Sequence, residues 1–314
     1  MADRPPHPGE ALRGVWNIVP TPFTGDGELD PLSLRRLTDF VVASGVDGMT
    51  VLGFMGEAHK LADAERTEVI ETTIAAAAQR LPICVGVTHG ATDRAVAFAR
   101  EAAAAGAHSV MLAPPTLARP SDEALRRHYL AVASAVDLPI VVQDYPAGSG
   151  VPMSVEFIAR LVAEAPTCRY LKLEDEPSPP KVARVRAAAP GVRILGGLGG
   201  MMLFEELLAG ADGTMTGFGF PEILVEVVGR FGNGDRTGAR DAFYRALPLI
   251  RFENQAGLNL ALRKHVYRRR GAIASERVRA PAPTLDRSTL EVLDGILVHL
   301  GLAAGLGPIV EPST

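Results

Sequence analysis

The sequence predicts an α/β fold, specifically a (β/α)8 TIM barrel with a C-terminal helical extension. Three observations carry that expectation. Eight short apolar runs alternate with longer amphipathic ones, and about 220 residues for eight such units suits a closed barrel. The short runs are apolar along most of their length, as strands covered on both faces are. The first turn, "VPTPFTGDGELD", is not the glycine-rich dinucleotide loop that a doubly wound sheet would place there.

In chain order the candidate strands are "VWNIVP" (15–20), "DGMTVLG" (47–53), "PICVGV" (82–87), "HSVMLA" (108–113), "LPIVVQD" (138–144), "CRYLKLE" (168–174), "RILGG" (193–197) and "GTMTG" (213–217). Helical periodicity fills stretches such as 31–44, 63–80 and 92–105 between them. Asp63, Thr92, Ser121 and Ser154 stand where N-caps are expected. Gly45, Gly106 and Gly210 stand where helices should close, in the near-repeats "ASGVDG", "AAGAHS" and "LAGADG". The expected organisation is a flexible N-terminus (1–13), the barrel (14–232), about three helices packed on it or on another subunit (233–303), and a loose tail (304–314).

Composition narrows the function. The chain has 314 residues, 47% hydrophobic, with a formal net charge of −4, so no electrostatic reason exists to expect nucleic acid or an anionic membrane as partner. The start, "MADRPPHPGEALRG", lacks an apolar signal core and no run reads as a membrane span. The two cysteines, Cys84 and Cys168, sit in apolar segments, which suits small core residues in a reducing cytoplasm. No His/carboxylate spacing reads as a metal site, and His59, near the expected barrel mouth, reads as solvated. The basic stretch "KHVYRRRGA" (264–272) reads as a solvated helix face or interface salt bridges. Lysine is scarce: Lys60, Lys172, Lys181 and Lys264 are the only ones among 32 basic residues. Arginine cannot give up its proton in a protein and a buried lysine can, so a lysine within a strand points to chemistry.

Chemistry in such a barrel lies at the C-terminal ends of the strands. Alternation puts Tyr170, Lys172 and Glu174 on one face of the sixth strand and Leu171 and Leu173 on the other. Lys172 then points into the barrel mouth. Either it is an amine nucleophile toward ketones, or it forms a rim ion pair with Glu174, Asp175 or Glu176. The turn "ILGGLGGMM" (194–202), with glycines ahead of a helix, could alternatively cradle a phosphorylated substrate.

The motifs "VPTPFTGDGELD", "GFMGEAHKL", "YPAGSGV", "YLKLED" and "GADGTMTG" fall in the order and spacing of the dihydrodipicolinate synthase/N-acetylneuraminate lyase superfamily, which the chain resembles over about 14–300. The resemblance implies a class I, lysine-dependent lyase, an aldolase or dehydratase acting on pyruvate or another 2-oxo acid or a deoxy sugar acid. It implies a covalent imine on Lys172, no metal or organic cofactor, and a homo-oligomer (dimer or tetramer).

Departures from the family pattern fall within the site. The carboxylate-binding loop reads Gly53-Phe54-Met55-Gly56, with both family hydroxyls gone. Gln143 stands at the position of the proton-relay tyrosine, and glutamine is no general acid. Glu174 is the expected replacement, with Tyr145 second or a cover on the barrel rim. Thr116 and Leu117 replace the tyrosines of the loop after strand four. The arginine with which dihydrodipicolinate synthase holds its second substrate falls on Gly148, which argues against that enzyme itself. Gly197 and Met215 match substrate-lining positions, and Leu198 stands at an acidic one. The same losses would equally suit a non-catalytic, binding-only member.

Overall fold

A computed structural model describes residues 12–117, 119–304 and 306. The strands are β1 (Gly14–Ile18), β2 (Gly48–Val51), β3 (Ile83–Gly86), β4 (Ser109–Leu112), β5 (Ile140–Asp144), β6 (Tyr170–Leu173), β7 (Arg193–Gly196) and β8 (Gly213–Thr216). They close in sequence order, with β1 pairing parallel to β8. Seven of the eight sequence-predicted runs contain their strand whole, and β1 begins one residue ahead of its run. The helices are α1 (Pro31–Ala43), α2 (Asp63–Ala77), α3 (Thr92–Ala104), α4 (Asp122–Ala133), the short α5 (Pro146–Ser149), α6 (Val155–Glu164), α7 (Ser178–Ala188), α8 (Leu203–Leu208) and α9 (Pro221–Gly232). Then follow α10 (Arg236–Glu253), α11 (Asn259–Arg269) and α12 (Arg287–His299), the three helices expected beyond the barrel. Among the described residues no helix is long and apolar enough to cross a membrane. The expectations for the first eleven residues and for most of the tail lie outside the described residues.

Period-two alternation divides the apolar residues into two cores. An inner one joins Trp16, Ile18, Cys84, Met111, Val141, Tyr170, Leu195 and Met215 inside the barrel. The other, holding Leu171 and Leu173, lies between strands and helices. Register sets Gln143 beside Lys172 and Lys172 beside Leu195. Both cysteines are free and buried, and burial pushes each thiol up to about 12.

Two cap assignments need correction. Ser121 and Ser154 cap α4 and α6, but Ala62 and Ala91 precede α2 and α3. Glu65 reaches back to the Ala62 N–H at 2.8 Å, so the carboxylate supplies the cap and Asp63 falls inside the helix. The Thr92 hydroxyl turns instead to His128 Nδ1, 3.0 Å away. Gly45, Gly106 and Gly210 close their helices at φ of 76°, 93° and 101°.

The basic stretch 264–272 also departs from expectation. Lys264, His265, Tyr267 and Arg269 are buried, and the charges are matched within the chain. His265 and Arg268 meet Glu276 at 2.8 and 2.7 Å, Arg269 meets Asp294, and Arg270 meets Glu222 at 2.7 Å. A strongly polar helix is thus held inside the molecule by ion pairs together with the buried Ala261, Leu262, Val266 and Tyr267.

Candidate active site

The acidic run after Lys172 separates by alternation at the end of β6. Lys172 and Glu174 face inward and are buried, with Nζ 2.6 Å from Glu174 Oε2. Asp175 turns outward to Lys181 at 2.8 Å, and Lys181 also meets Asp144 at 2.6 Å. That outer pair ties the ends of β5 and β6 together. Burial pushes the Asp144 carboxyl up to about 6, against the pull of Lys181.

Glu174 is the hub of the mouth. Its Oε2 accepts from Gln143 Nε2 at 2.8 Å, and its Oε1 accepts from the Leu198 N–H at 3.2 Å. The turn after β7 is shaped around it: a Cβ on Gly197 would stand 2.3 Å from Glu174 Cγ. The Leu198 amide is thereby committed to a carboxylate, so the turn acts as a clamp on Glu174 rather than as an open anion cradle. Gln143 keeps its Oε1 buried without a partner among the described residues. It lines a cavity of about 380 Å³ together with Gly53, Phe54, Thr88 and Met111.

The ion-pair alternative for Lys172 put the pair on the rim, and the pair is instead buried. Scarcity does not single out Lys172, contrary to expectation, because every lysine is at least largely buried and paired. Lys60 donates to Glu57, Arg279 O and Pro281 O. Lys181 donates to Asp144, Met153 O and Asp175. Lys264 meets Glu57 and Arg277 O and lies over the Phe23 ring. Low lysine content therefore marks buried ion pairing in general. Lys172 differs in having a single carboxylate oxygen as its acceptor among the described residues, although an ammonium has three protons to place.

The remaining predicted residues converge on the same mouth. Tyr145 follows β5 half-buried, its ring edge-on to Phe54 with centroids 5.6 Å apart. Burial and the Glu174 charge hold its hydroxyl above the usual tyrosine range. The ring lies over Gly148, where a Cβ would come within 2.3 Å of it. Any larger residue at 148 would displace that tyrosine. Phe54, Met55 and Gly56 form a 3-10 turn with Phe54 37% exposed. Gly56 O accepts from Thr21 Oγ1 at 2.6 Å, and Gly53 lies against Met111 and Ile18. Met215 places its side chain in the inner core. Thr116 bonds Ser149 O at 3.2 Å. His59 is exposed, as expected.

Three neighbours of this site escaped sequence reading. Glu57, buried at φ 52°, gathers Lys60, Lys264 and the Arg279 N–H, and so pins the C-terminal segment to the β2 turn. Arg263 on α11 and Asn254 after α10 reach the mouth from beyond the barrel. The available signal was the unusually polar 259–269 helix, whose Arg263 and Lys264 sit among the apolar Ala261, Leu262, Val266 and Tyr267.

The profile of the Dihydrodipicolinate synthetase family matches residues 11–300. The chain is 35% identical over 305 residues to the L-2-keto-3-deoxyarabonate dehydratase of Azospirillum brasilense, which covers 95% of this chain and 96% of that one. It is similar to the solved dihydrodipicolinate synthase of Rhodopseudomonas palustris, with 38% identity, a TM-score of 0.87, and coverage of 92% and 97%. It is also similar to YagE of Escherichia coli, solved in complex with pyruvate, with 25% identity, a TM-score of 0.88, and coverage of 93% and 100%. With the closed barrel, the lysine at the end of β6 and a family match over nearly its whole length, the chain belongs to the dihydrodipicolinate synthetase family, whose members are Schiff-base lyases and dehydratases of the class I aldolase type.

Proposed function

We propose that the protein dehydrates a 2-oxo-3-deoxy sugar acid through an imine on Lys172. The observation that carries this reading is the Lys172–Glu174 contact of 2.6 Å, in which the ammonium has one acceptor and the carboxylate can take its proton. Once Nζ has passed a proton to Oε2, the amine adds to the C2 carbonyl of the substrate. Glu174 returns that proton to the oxygen, then carries a second one from nitrogen to the same oxygen, and water leaves to give the iminium. That cation draws electrons from C3, and Glu174 removes the C3 proton. The C4 hydroxyl then departs as water with the same proton, leaving a C3=C4 double bond conjugated to the iminium. Hydrolysis frees Lys172. No metal or organic cofactor is needed, because the iminium itself is the electron sink.

Gln143 and the Leu198 N–H keep Glu174 aimed at Lys172. Tyr145, protonated at working pH, offers an O–H donor within the influence of the Glu174 charge. Gly53, Phe54, Met55 and Gly56 line the acid end, and Gly197 and Met215 line the far wall. The 35% identity to a dehydratase supports elimination over carbon–carbon cleavage. In this reading the protein works in the cytoplasm, where buried free thiols persist. It is also a homo-oligomer, a state supported by Leu208, Tyr244, Val292 and Val298, large apolar side chains exposed on helices; light scattering in solution measures the assembly.

Borohydride reduction with pyruvate and a panel of 2-oxo acids, followed by intact mass, tests the imine. The expected adduct disappears in Lys172→Ala; no adduct with any 2-oxo acid would sink the reading. Product analysis tests the reaction: dehydration keeps the carbon count, whereas aldol cleavage releases pyruvate.

A further inference from the structure

Arg263 is a cation built into the barrel mouth from outside the barrel. It is only 3% exposed. Its Nη2 donates to Asn254 Oδ1 at 2.8 Å, and Asn254 Nδ2 donates to Leu198 O at 2.9 Å. The Leu198 N–H in turn holds Glu174, so the guanidinium and the Lys172–Glu174 pair are two ends of one hydrogen-bonded chain. A Cβ on Gly217 would stand 3.3 Å from Nη1 and 2.9 Å from Ile18 O, which sets the guanidinium over the ends of β8 and β1.

Its charge is poorly matched for a buried group. Glu253 is the nearest carboxylate, but Nε reaches it only at 3.4 Å, and Glu253 also accepts twice from the Gly219 N–H. Nη1 donates to Met55 Sδ at 3.2 Å, and a thioether is a weak acceptor. A buried guanidinium edge facing sulfur is a donor that a better acceptor can claim. Met55 is unbranched and rotates readily, so it can yield that position.

A 2-oxo acid brings a carboxylate next to the carbon that Lys172 attacks. With both hydroxyls of the carboxylate-binding loop gone, burying that anion is favoured by a cation that stays charged while the lysine gives up its proton. Guanidinium meets both conditions, and its planar fork matches a carboxylate in geometry.

We propose that Arg263 is the carboxylate anchor of this active site, its Nη1 edge taking the acid group of the 2-oxo acid in place of Met55 Sδ. The assignment rests on the Lys172 reading, and the test separates the two. Half-saturation of borohydride trapping is measured with pyruvate and with methyl pyruvate, the neutral ester. In Arg263→Met the pyruvate value rises on the order of 10²-fold while the ester value moves less than about threefold. The ratio of the two within one protein does not depend on the folded fraction. If Arg263→Met fails to fold, Arg263→Lys carries the test, with an expected rise of about tenfold for pyruvate alone. Equal losses on acid and ester, or an unchanged pyruvate value, would overturn the assignment. If no adduct forms even in the wild type, the imine reading falls first. Saturation-transfer NMR on Lys172→Ala protein then reads non-covalent pyruvate binding. Loss of that binding on adding Arg263→Met supports the anchor, whereas binding indifferent to Arg263, or absent with Arg263 intact, overturns it.

Discussion

In the proposed dehydration, Lys172 and Glu174 divide the labour that the family pattern gives to a lysine and a tyrosine. The carboxylate can serve because the Gln143 amide and the Leu198 N–H hold it against Nζ. Glu174→Gln keeps the shape and removes the proton carrier, so kcat should fall by about 10² to 10⁴, while the pyruvate adduct can still be trapped on long incubation. Steady-state kinetics beside intact mass checks both halves; unaltered turnover would mean that another group moves protons. Tyr145→Phe removes one donor at a half-exposed position and should lower kcat by less than about tenfold. A loss as large as that of Glu174→Gln would transfer the relay to Tyr145.

At the scale of elements, the turn after β7 positions Glu174 without offering a reactive side chain of its own. Gly197 leaves the space that Glu174 Cγ fills, and Leu198 stands at φ 50° to present its N–H. Gly197→Ala puts a methyl 2.3 Å from that carbon, and the side chain must yield, since the turn is part of the backbone. Turnover should drop on the order of 10²-fold with overall stability lowered by roughly 1–3 kcal/mol. Kinetics and thermal unfolding on one preparation measure both effects. A stable protein with full turnover would show that Glu174 needs no fixed position. The strands, caps at Ser121 and Ser154, and helix-closing glycines were legible in sequence because each depends on neighbours within a few residues. The cap of α3 was not, since His128, 36 positions on, takes the Thr92 hydroxyl, while at α2 the local Glu65 rather than Asp63 supplies the cap.

The whole molecule carries several buried charges whose titration makes stability depend on pH. Glu206 on α8 accepts from Ser178 Oγ at 2.6 Å and leaves its other oxygen unpartnered among the described residues. Burial pushes its carboxyl from 4.5 to about 7. The folded state therefore binds that proton more tightly than the unfolded chain does. The resulting stabilisation is full below about pH 4.5 and is lost as pH rises through about 7. Buried His128, pulled down to about 4, contributes the opposite slope over its own range. The clean measurement is thus a difference: Glu206→Gln should gain stability over the wild type as pH climbs from 5 to 8, by up to about 3 kcal/mol. Denaturant unfolding at a series of pH values reads it, and a gap that does not change with pH contradicts the assignment.

Sequence by itself determined the barrel and the inward face of Lys172 and Glu174. Strand alternation and hydrophobic period are local properties, and a closed parallel barrel leaves the inward residues at strand ends no other place to go. Tertiary structure alone decided which charges meet. Nothing within the 172–176 segment announces that Asp175 will pair with Lys181. Nothing in the β2 turn announces that Glu57 will bind Lys264, some 207 positions away, or that Arg263 will rest on Met55. Those partners are brought together by packing of the C-terminal helices over the mouth, and long-range electrostatics leaves no period in the chain to read.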